Sequence, residues 1–233
     1  PITDNDNRDR NGARLWKAAG LDKLTQQATA FRTGKNSVQT TLALLSDKGE
    51  TVGTATQHYH ITPDGMVKVA TTLTPDTAIV KSLARIGLTF EMPSEYAQVS
   101  YLGRTGETYV DRIQSGRIAI DHTDAERMFH QYVKPQSTGN RTDMRWAEIS
   151  NEAGNGLYVT ASRPWQFSIV PFTDSNIDAS THINQLKRSG TVTVHLDAVQ
   201  AGVGTATCGP GVLPQYLVPV EETTFEFVIR PMK

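Results

Sequence analysis

The segment 132–146, YVKPQSTGNRTDMRW, concentrates side chains whose chemistry suits recognition of a polar ligand. Arg141 and Arg145 each present a planar fork of hydrogen-bond donors, and Asp143 lies between them as an ionic acceptor. Such a set can hold hydroxyl or carboxylate groups. It is also typical of a structural loop held by an Arg–Asp cluster, and spacing alone favours this structural interpretation.

Aromatic and turn-forming residues accompany these charges. Tyr132 and Trp146 have flat apolar faces with polar tips, which suit both packing and the C–H faces of sugars. Gly139 and Asn140 tolerate a positive φ and predict a turn. We therefore predict a loop over 132–146.

Histidines and carboxylates elsewhere give weaker signals. His58 and His60 are two apart on a predicted strand, so both side chains emerge on one face and could hold a metal, but no third ligand lies nearby in sequence. Glycoside hydrolysis requires two carboxyl groups, one acting as proton donor. The near-neighbour candidates are Glu91 with Glu95, Glu148 with Glu152, and Asp121 with Asp124 and Glu126. All lie in polar, turn-like contexts that favour solvation, so we predict neither a catalytic residue nor a metal site.

Two further segments could bind ions. TDND (3–6) clusters oxygen ligands, but it lacks the spacing of a calcium loop, which favours an Asx-rich turn before the first helix. AGVGTATCGPG (201–211) is rich in glycine, but Pro210 and Pro214 argue against the helix that a phosphate cradle needs. We expect this loop to make a close backbone approach to another surface.

Composition limits the possible partners. The chain has 233 residues with 23 basic and 24 acidic side chains, a net charge of −1 and no basic run, which argues against nucleic acid or an anionic membrane as partner. The single cysteine, Cys208, excludes an intrachain disulfide and a cysteine-based zinc site. A cytoplasmic or a bacterial periplasmic location is compatible with this. Because the sequence opens on PITDND without an initiator Met, we expect a piece of a longer protein or a processed chain.

Most of the chain shows the two-residue period of β-strands. Good helix formers over 13–28 predict two short helices separated at Gly20, and short helices are also predicted near 124–131 and 174–186. Alternating patterns predict strands over 37–45, 51–61, 66–73, 84–92, 98–103, 157–161, 167–170, 191–196 and 224–229. In TVTVHL, Val192, Val194 and Leu196 are predicted to face the core, whereas Thr193, His195 and Asp197 face a wet or partly covered side.

The predicted fold class is all-β, a large antiparallel sandwich with a few short helices. Many strands without βαβ spacing favour antiparallel pairing. Since no internal repeat or linker is visible, we predict one domain over residues 1–233.

Six stretches occur in a characteristic order over nearly the whole length: TDND with LWKAAGLD (15–22), ARIGL (84–88), YLGRTGETYVDR (101–112), PQSTGNRTDMRW (135–146), FSIVPFT (167–173) and LDAVQAGVG (196–204). Together they resemble the C-terminal region of glycoside hydrolase family 2 β-galactosidases. The resemblance implies a galactose mutarotase-like supersandwich. It also implies that the catalytic glutamates lie in an upstream barrel, and that this region completes one wall and the entrance of the sugar pocket.

The resemblance further implies which residues lie at that pocket. The segment 135–146 would lie near the entrance and can be mobile, and 201–210 would reach the pocket itself. The implied rim residues are Gln136, Asn140, Arg141, Asp143, Arg145, Trp146, Thr207 and Cys208. The implied partners are a β-galactoside-type carbohydrate and the upstream domains of a homo-oligomeric parent. Parents in this family often use Mg and Na, but no cofactor is expected in this region.

The sequence departs from the family pattern at two places. Many members follow the Gly-x-Gly turn with Asp-Asp-Ser-Trp, whose Trp forms a sugar platform, whereas this chain has TATCG over 205–209. An aromatic platform at that point, and lactose as substrate, are therefore in doubt. The turn before Glu107 also differs, although Glu107, Tyr109, Asp111 and Arg112 still match. An independent carbohydrate-binding module and a mutarotase-like epimerase are the alternative functions.

Overall fold

The computed structural model describes residues 1–6 and 12–233. The helices are α1 (Gly12–Ala18), α2 (Ala125–Met128) and α3 (Asp174–Ala179), with 3₁₀ turns at Leu21–Lys23, Ile183–Gln185 and Pro214–Tyr216. The strands are β1 (Thr25–Thr33), β2 (Ser37–Leu45), β3 (Thr51–Ile61), β4 (Val67–Pro75), β5 (Arg85–Pro93), β6 (Gln98–Arg104), β7 (Ile118–Asp124), β8 (Arg141–Ser150), β9 (Gly156–Val170), β10 (Thr191–Gln200) and β11 (Thr223–Met232).

The described strands pair antiparallel in one continuous, branched sheet. Its main path runs β1-β2-β3-β4-β11-β9-β8-β6-β7, and β10 joins β9 to β5. The branch arises within the 15-residue strand β9: residues 156–161 pair with β11, whereas 166–170 pair with β10. The sheet thereby divides into layers that face each other. The predicted all-β antiparallel fold with a few short helices is confirmed.

The main hydrophobic core lies where β6, β8, β9, β10 and β11 meet. Trp165 contacts Phe167 and Phe227 edge to face, with centroid distances of 5.8 and 5.4 Å, and all three rings are buried. Aromatic rings packed in this way contribute beyond their buried area. As predicted, Val194 and Leu196 of β10 face this core.

The polar face of β10 is not exposed to solvent. Thr193, His195 and Asp197 are each at most 3% exposed. This face is covered because α3 follows β9 and places Asp174 over His195. The alternation of side chains along β10 was predicted correctly, but the sequence pattern gave no sign of the layer that covers its polar face.

The prediction of two helices over 13–28 was partly wrong. α1 ends at Ala18, and Gly20 (φ 68°) breaks it as predicted, but only the 3₁₀ turn Leu21–Lys23 follows. Residues from Thr25 onward form β1, which pairs with β2 and is exposed along its whole length. Backbone pairing with β2 overrides the helical propensity of TQQA.

The predicted loop over 132–146 was also partly wrong, because it ends at Asn140 and Arg141 begins β8. The strands β7 and β8 were missed, and the two strands predicted over 157–170 form the single strand β9. The short helices near 124–131 and 174–186 are confirmed. Asp124 caps α2 by accepting from the Arg127 amide at 2.8 Å, and Thr173 caps α3 through the Asn176 amide at 3.2 Å.

Candidate functional site

Four segments converge at one end of the sandwich and are joined by side-chain hydrogen bonds. They are the N-terminal turn 3–6, the segment 104–112, the loop 134–140 and the loop 200–211, which together we call the loop end. Each contains a stretch singled out in the sequence, so the fold brings distant motifs into contact.

The loop 200–211 is anchored by two adjacent residues of the segment 104–112. The Asp111 carboxylate accepts from the amides of Val203 at 3.1 Å and Gly204 at 2.8 Å, and the Arg112 guanidinium donates to the Gly204 carbonyl. A Cβ placed at Gly202 would lie 2.6 Å from Asp111 Cγ, so the backbone here passes close to the carboxylate. The predicted close approach of this glycine-rich loop is confirmed.

The N-terminal turn binds two loops at once. The Asn5 amide oxygen accepts from the Thr207 amide at 3.0 Å, and its nitrogen donates to the Gly204 carbonyl at 3.2 Å. The Gln136 side chain accepts from the Asp4 amide at 2.9 Å. Asp6 closes the turn: its carboxylate accepts from the Thr3 amide and hydroxyl, and its amide donates to the Thr3 carbonyl at 3.1 Å, so the predicted Asx-rich turn is present. Burial raises the pKa of Asp6, and the two bonds from Thr3 partly offset this increase.

A buried amide network supports the loop 134–140. Asn140 donates to the Thr108 carbonyl at 2.9 Å and to Gln166 Oε1 at 2.8 Å, and Gln166 donates onward to the Gln200 carbonyl at 3.2 Å. Because these donors and acceptors are shielded from water, each lost bond leaves an unsatisfied group. The network therefore fixes the spacing between three segments.

Glu107 and Tyr109 hold the turn before β8. The Glu107 carboxylate accepts from the Gly139 amide at 3.0 Å and from the Tyr109 hydroxyl at 2.7 Å. Burial, and then the Glu107 charge, hold the pKa of Tyr109 well above its usual value. The phenol is thus a permanent donor at neutral pH.

The predicted Arg–Asp cluster within 141–145 was wrong. Arg141 is buried and donates to the Tyr101 hydroxyl at 2.9 Å, whereas Asp143 pairs with Arg104. Arg145 is exposed and donates to the Asp143 backbone carbonyl. The reason is geometric: the pairing of β8 with β9 shifts register on both sides of Met144, and Asp143 has φ 55°, so successive side chains turn to different neighbours.

The rim residues implied by the resemblance do not all meet. Gln136, Asn140 and Thr207 lie within the loop end, and Cys208 is an exposed free thiol on the same loop as Thr207. Trp146 lies five strand positions beyond Arg141, about 16 Å along β8. There its ring stacks on Tyr158 with centroids 6.0 Å apart. Asp143 still reaches the loop end through its pair with Arg104, whereas Trp146 lies away from it.

A partly buried charge cluster lies beneath the loop end and was not predicted from the sequence. Arg85 lies 3.5 Å from Asp197 and donates to Ser137 Oγ at 3.3 Å, and His195 Nε2 lies 3.2 Å from Asp174. Burial raises the pKa of Asp197, and Arg85 partly offsets this increase. Because His195 and Asp197 share a face of β10, their spacing of two was the available signal, but their partners come from helix α3 and strand β5.

Burial also raises the pKa of Asp174, but the hydrogen bond and charge of His195 outweigh this and hold it at about 2. Asp174 is therefore ionised at neutral pH. The cluster links α3 and β5 to β10 electrostatically, which is a structural role beneath the loops.

The other candidate groups have separate positions. His58 and His60 are exposed on β3. The carboxylates mostly have structural partners: Glu91 accepts from Thr191, Asp121 from Tyr101, and Glu126 from Arg188. Within residues 1–6 and 12–233, no three His, Cys, Asp or Glu side chains converge as metal ligands.

No helix in the described part of the chain is both long and apolar enough to cross a membrane.

The family match and the relatives of similar sequence agree with each other. Residues 1–229 match the family described as "Beta galactosidase small chain". The chain is 28% identical to a beta-galactosidase of Actinobacillus pleuropneumoniae over 97% of its own length and 22% of the relative's. It is 34% identical to that of Kluyveromyces lactis over 61% of its own length and 14% of the relative's. The chain thus spans about a fifth or less of these curated relatives.

The chain is also similar to solved structures. The chain matches the GalM/aldose epimerase homologue from C. elegans with a TM-score of 0.46 and 11% identity, covering 88% of this chain and 67% of that one. The crystal structure of HI1317 gives the same TM-score with 10% identity, over 88% and 64% of the two chains. The family match over residues 1–229 carries the assignment: the chain belongs to the beta-galactosidase small-chain family.

Proposed function

We propose that this chain forms one wall and the entrance of the sugar pocket in a β-galactosidase-type glycoside hydrolase, while the hydrolytic carboxylates lie in another part of the parent chain. Family membership supports the hydrolase, and the curated relatives leave about four fifths of their length for that other part. The upstream domains of the parent are then its direct partners, and any Mg or Na of the parent is bound outside this region.

The observation that carries the proposal is the anchoring of the loop 200–211. Its base is held by Asp111 and Arg112 on one side and by Asn5 on the other, whereas Thr205 and residues 207–209 are exposed. A binding group is most effective when its supporting shell is rigid. The exposed tip therefore has the architecture of a pre-organised pocket wall.

The carboxylates favour a non-catalytic role. A glycosidase needs one carboxyl group positioned as acid and another as base or nucleophile, about 5 to 9.5 Å apart. In this chain Asp124 caps α2, Glu126 pairs with Arg188, and Glu91 accepts from Thr191. Carboxylates that already cap a helix, form an ion pair or accept a hydrogen bond from a neighbouring side chain are poor candidates for proton transfer.

We expect the purified 233-residue chain to show no turnover of an aryl β-galactoside above the buffer rate, because the paired carboxylates are supplied elsewhere. A chromogenic assay over pH 4 to 9 measures this, with a full-length relative as positive control. Turnover that co-elutes with the chain and disappears on a single carboxylate substitution would overturn the non-catalytic role.

A further inference from the structure

A cavity of about 450 Å³ lies between the sheet formed by β1–β4 and the layer that contains β5. Its lining shares no residue with the loop end, so it is a separate feature of the molecule. Cavities of this size are typical of small-molecule sites. The predictions from sequence did not include it.

One end of the cavity is apolar. The side chains there come from β2, β3, β4, β5 and the segment before β5, and most of them also pack in a smaller hydrophobic cluster outside the main core. They are Leu42, Leu44, Val52, Leu73, Val80, Leu83 and Ile86. A ligand that fits this end must carry an apolar group.

Polar acceptors and one flat ring line the rest of the cavity. Asp22, Asp174 and Asp178 contribute carboxylates, of which Asp174 is ionised because its pKa is about 2, and Gln57 adds an amide. The single guanidinium is that of Arg85, which lies beside Asp197. Trp16 offers an indole whose Nε1 already donates to Ser82. Acceptor-rich walls next to an indole suit hydroxyl donors on a ring, and they disfavour an anion.

Thr71 provides a second, independent indication of a ligand. Its side chain lines the cavity and is 4% exposed, and its hydroxyl has no hydrogen-bond partner within the described residues. The β-sheet register places it between Gln57 of β3 and Phe225 of β11, which line the same cavity. A buried hydroxyl without a partner is unfavourable, so a ligand that bonds to it would remove a defect.

We propose that this cavity is a ligand site for a neutral glycoside with an apolar aglycone, separate from the pocket wall of the proposed function. The aglycone occupies the leucine-rich end. The sugar hydroxyls meet Thr71, Gln57 and the Asp174 and Asp178 carboxylates, and a pyranose face lies against Trp16. This inference goes beyond the proposed function and does not depend on it, because it rests on the cavity alone.

Titration calorimetry of the 233-residue chain with p-nitrophenyl β-D-galactoside tests the proposal. We expect saturable binding that is at least about tenfold tighter than for galactose, since galactose lacks the apolar group. Thr71→Val is nearly isosteric and should weaken binding about five- to tenfold, the effect of one hydrogen bond. Leu42→Trp, which fills the apolar end, should abolish it.

The controls separate this site from the loop end. Thr160→Val, on β9 outside the cavity, and Thr207→Ala, in the loop end, should both leave the affinity unchanged. Absence of binding, equal affinity for galactose, or binding that Thr207→Ala weakens and Thr71→Val does not, would each overturn the proposal. If Leu42→Trp fails to fold, Thr71→Val still decides the outcome. The assay involves no turnover by a parent enzyme, so its failure would leave the proposed function untouched.

Discussion

Asn140 shows how a single buried amide can organise a site made of distant segments. Its side chain joins Thr108 to Gln166, and Gln166 reaches the backbone at Gln200. None of these residues is charged, and their partners are 26 to 34 positions away in sequence. The sequence predicted a turn at Gly139-Asn140, and the turn is present, but the role of the amide depends on neighbours that only the fold supplies.

Arg141 and Asp143 illustrate the limit of spacing arguments. Two arginines flanking an aspartate predicted mutual pairing, yet Arg141 is buried against Tyr101 and Asp143 pairs with Arg104. Proximity in sequence favours a contact only when the backbone presents the side chains to the same side. The irregular register of β8 removes that condition.

Asp174→Asn is expected to destabilise the chain at neutral pH but not in strong acid. In the folded chain His195 holds the pKa of Asp174 at about 2, below its ordinary value of 3.8. Stability from this carboxylate is therefore present above pH 3.8 and is lost as the pH falls toward 2. We expect a loss of about 1 kcal/mol at pH 7, reduced from the full linkage value because the side chain is 38% exposed.

Urea denaturation at pH 7, 5, 3 and 2 measures this difference between variant and wild type. Asp47→Asn, at an exposed position, is the control and should show no pH-dependent difference. Asp197, whose raised pKa favours the protonated form, has the opposite effect, which is the same in wild type and Asp47→Asn but smaller in Asp174→Asn because the Asp174 charge contributes to that increase. A deficit of Asp174→Asn that persists undiminished at pH 2 would contradict the assignment.

At the scale of elements, the turn into β8 is set by backbone geometry. Gly139 has φ 78°, and a Cβ there would lie 2.2 Å from the Met128 carbonyl oxygen of α2. We expect Gly139→Ala to lower the free energy of unfolding by about 2 to 4 kcal/mol, since the strained conformation and the clash both contribute. Gly154→Ala is a matched control, because Gly154 has φ 81° with nothing within 4 Å of the added Cβ. It should cost about 1 kcal/mol, and equal losses in the two variants would show that the contact with α2 is unimportant.

The loop 200–211 should depend on one carboxylate. Asp111→Ala removes the acceptor for two consecutive amides, so we expect hydrogen exchange at Val203 and Gly204 to accelerate at least about tenfold, consistent with the loss of about 1.4 kcal/mol of local protection. Alkylation of the exposed thiol of Cys208 gives an independent readout of the loop tip. Asp47→Ala is the control and should leave both rates unchanged. Unaltered exchange in Asp111→Ala would show that the loop is held by its other contacts.

Whether a strand could be predicted from the sequence depends on which of its faces are buried. β10 was found because Val192, Val194 and Leu196 alternate on a core face. β1 was missed because it is exposed on both faces, and its sequence therefore carries no period of two. β8 was missed for the opposite reason, since buried polar residues interrupt its apolar alternation.

The fold class of the whole molecule could be predicted from the sequence, but the order in which its strands pair could not. Counting alternating segments indicated an antiparallel sandwich, which the structure confirms. The pairing of β4 with β11, and of β11 with β9, joins segments that lie more than 60 residues apart in sequence. Such pairings are decided by long-range packing, and no local pattern encodes them. For the same reason, the sequence did not predict the branch in β9, the layers it creates or the cavity between them.

The N-terminal turn acts across the molecule, since it binds the loops 134–140 and 200–211 without entering the main core. Removal of residues 1–6 should therefore leave a folded sandwich with an unchanged far-UV spectrum, while hydrogen exchange accelerates in both loops. Asn5→Ala is the sharper comparison: it removes the bonds to Gly204 and Thr207 but keeps the bond between Asp4 and Gln136. We expect faster exchange over 203–208 and unchanged exchange over 136–140. If the truncated chain unfolds, or if Asn5→Ala mobilises both loops equally, the turn is part of the core fold rather than a clamp on its loop end.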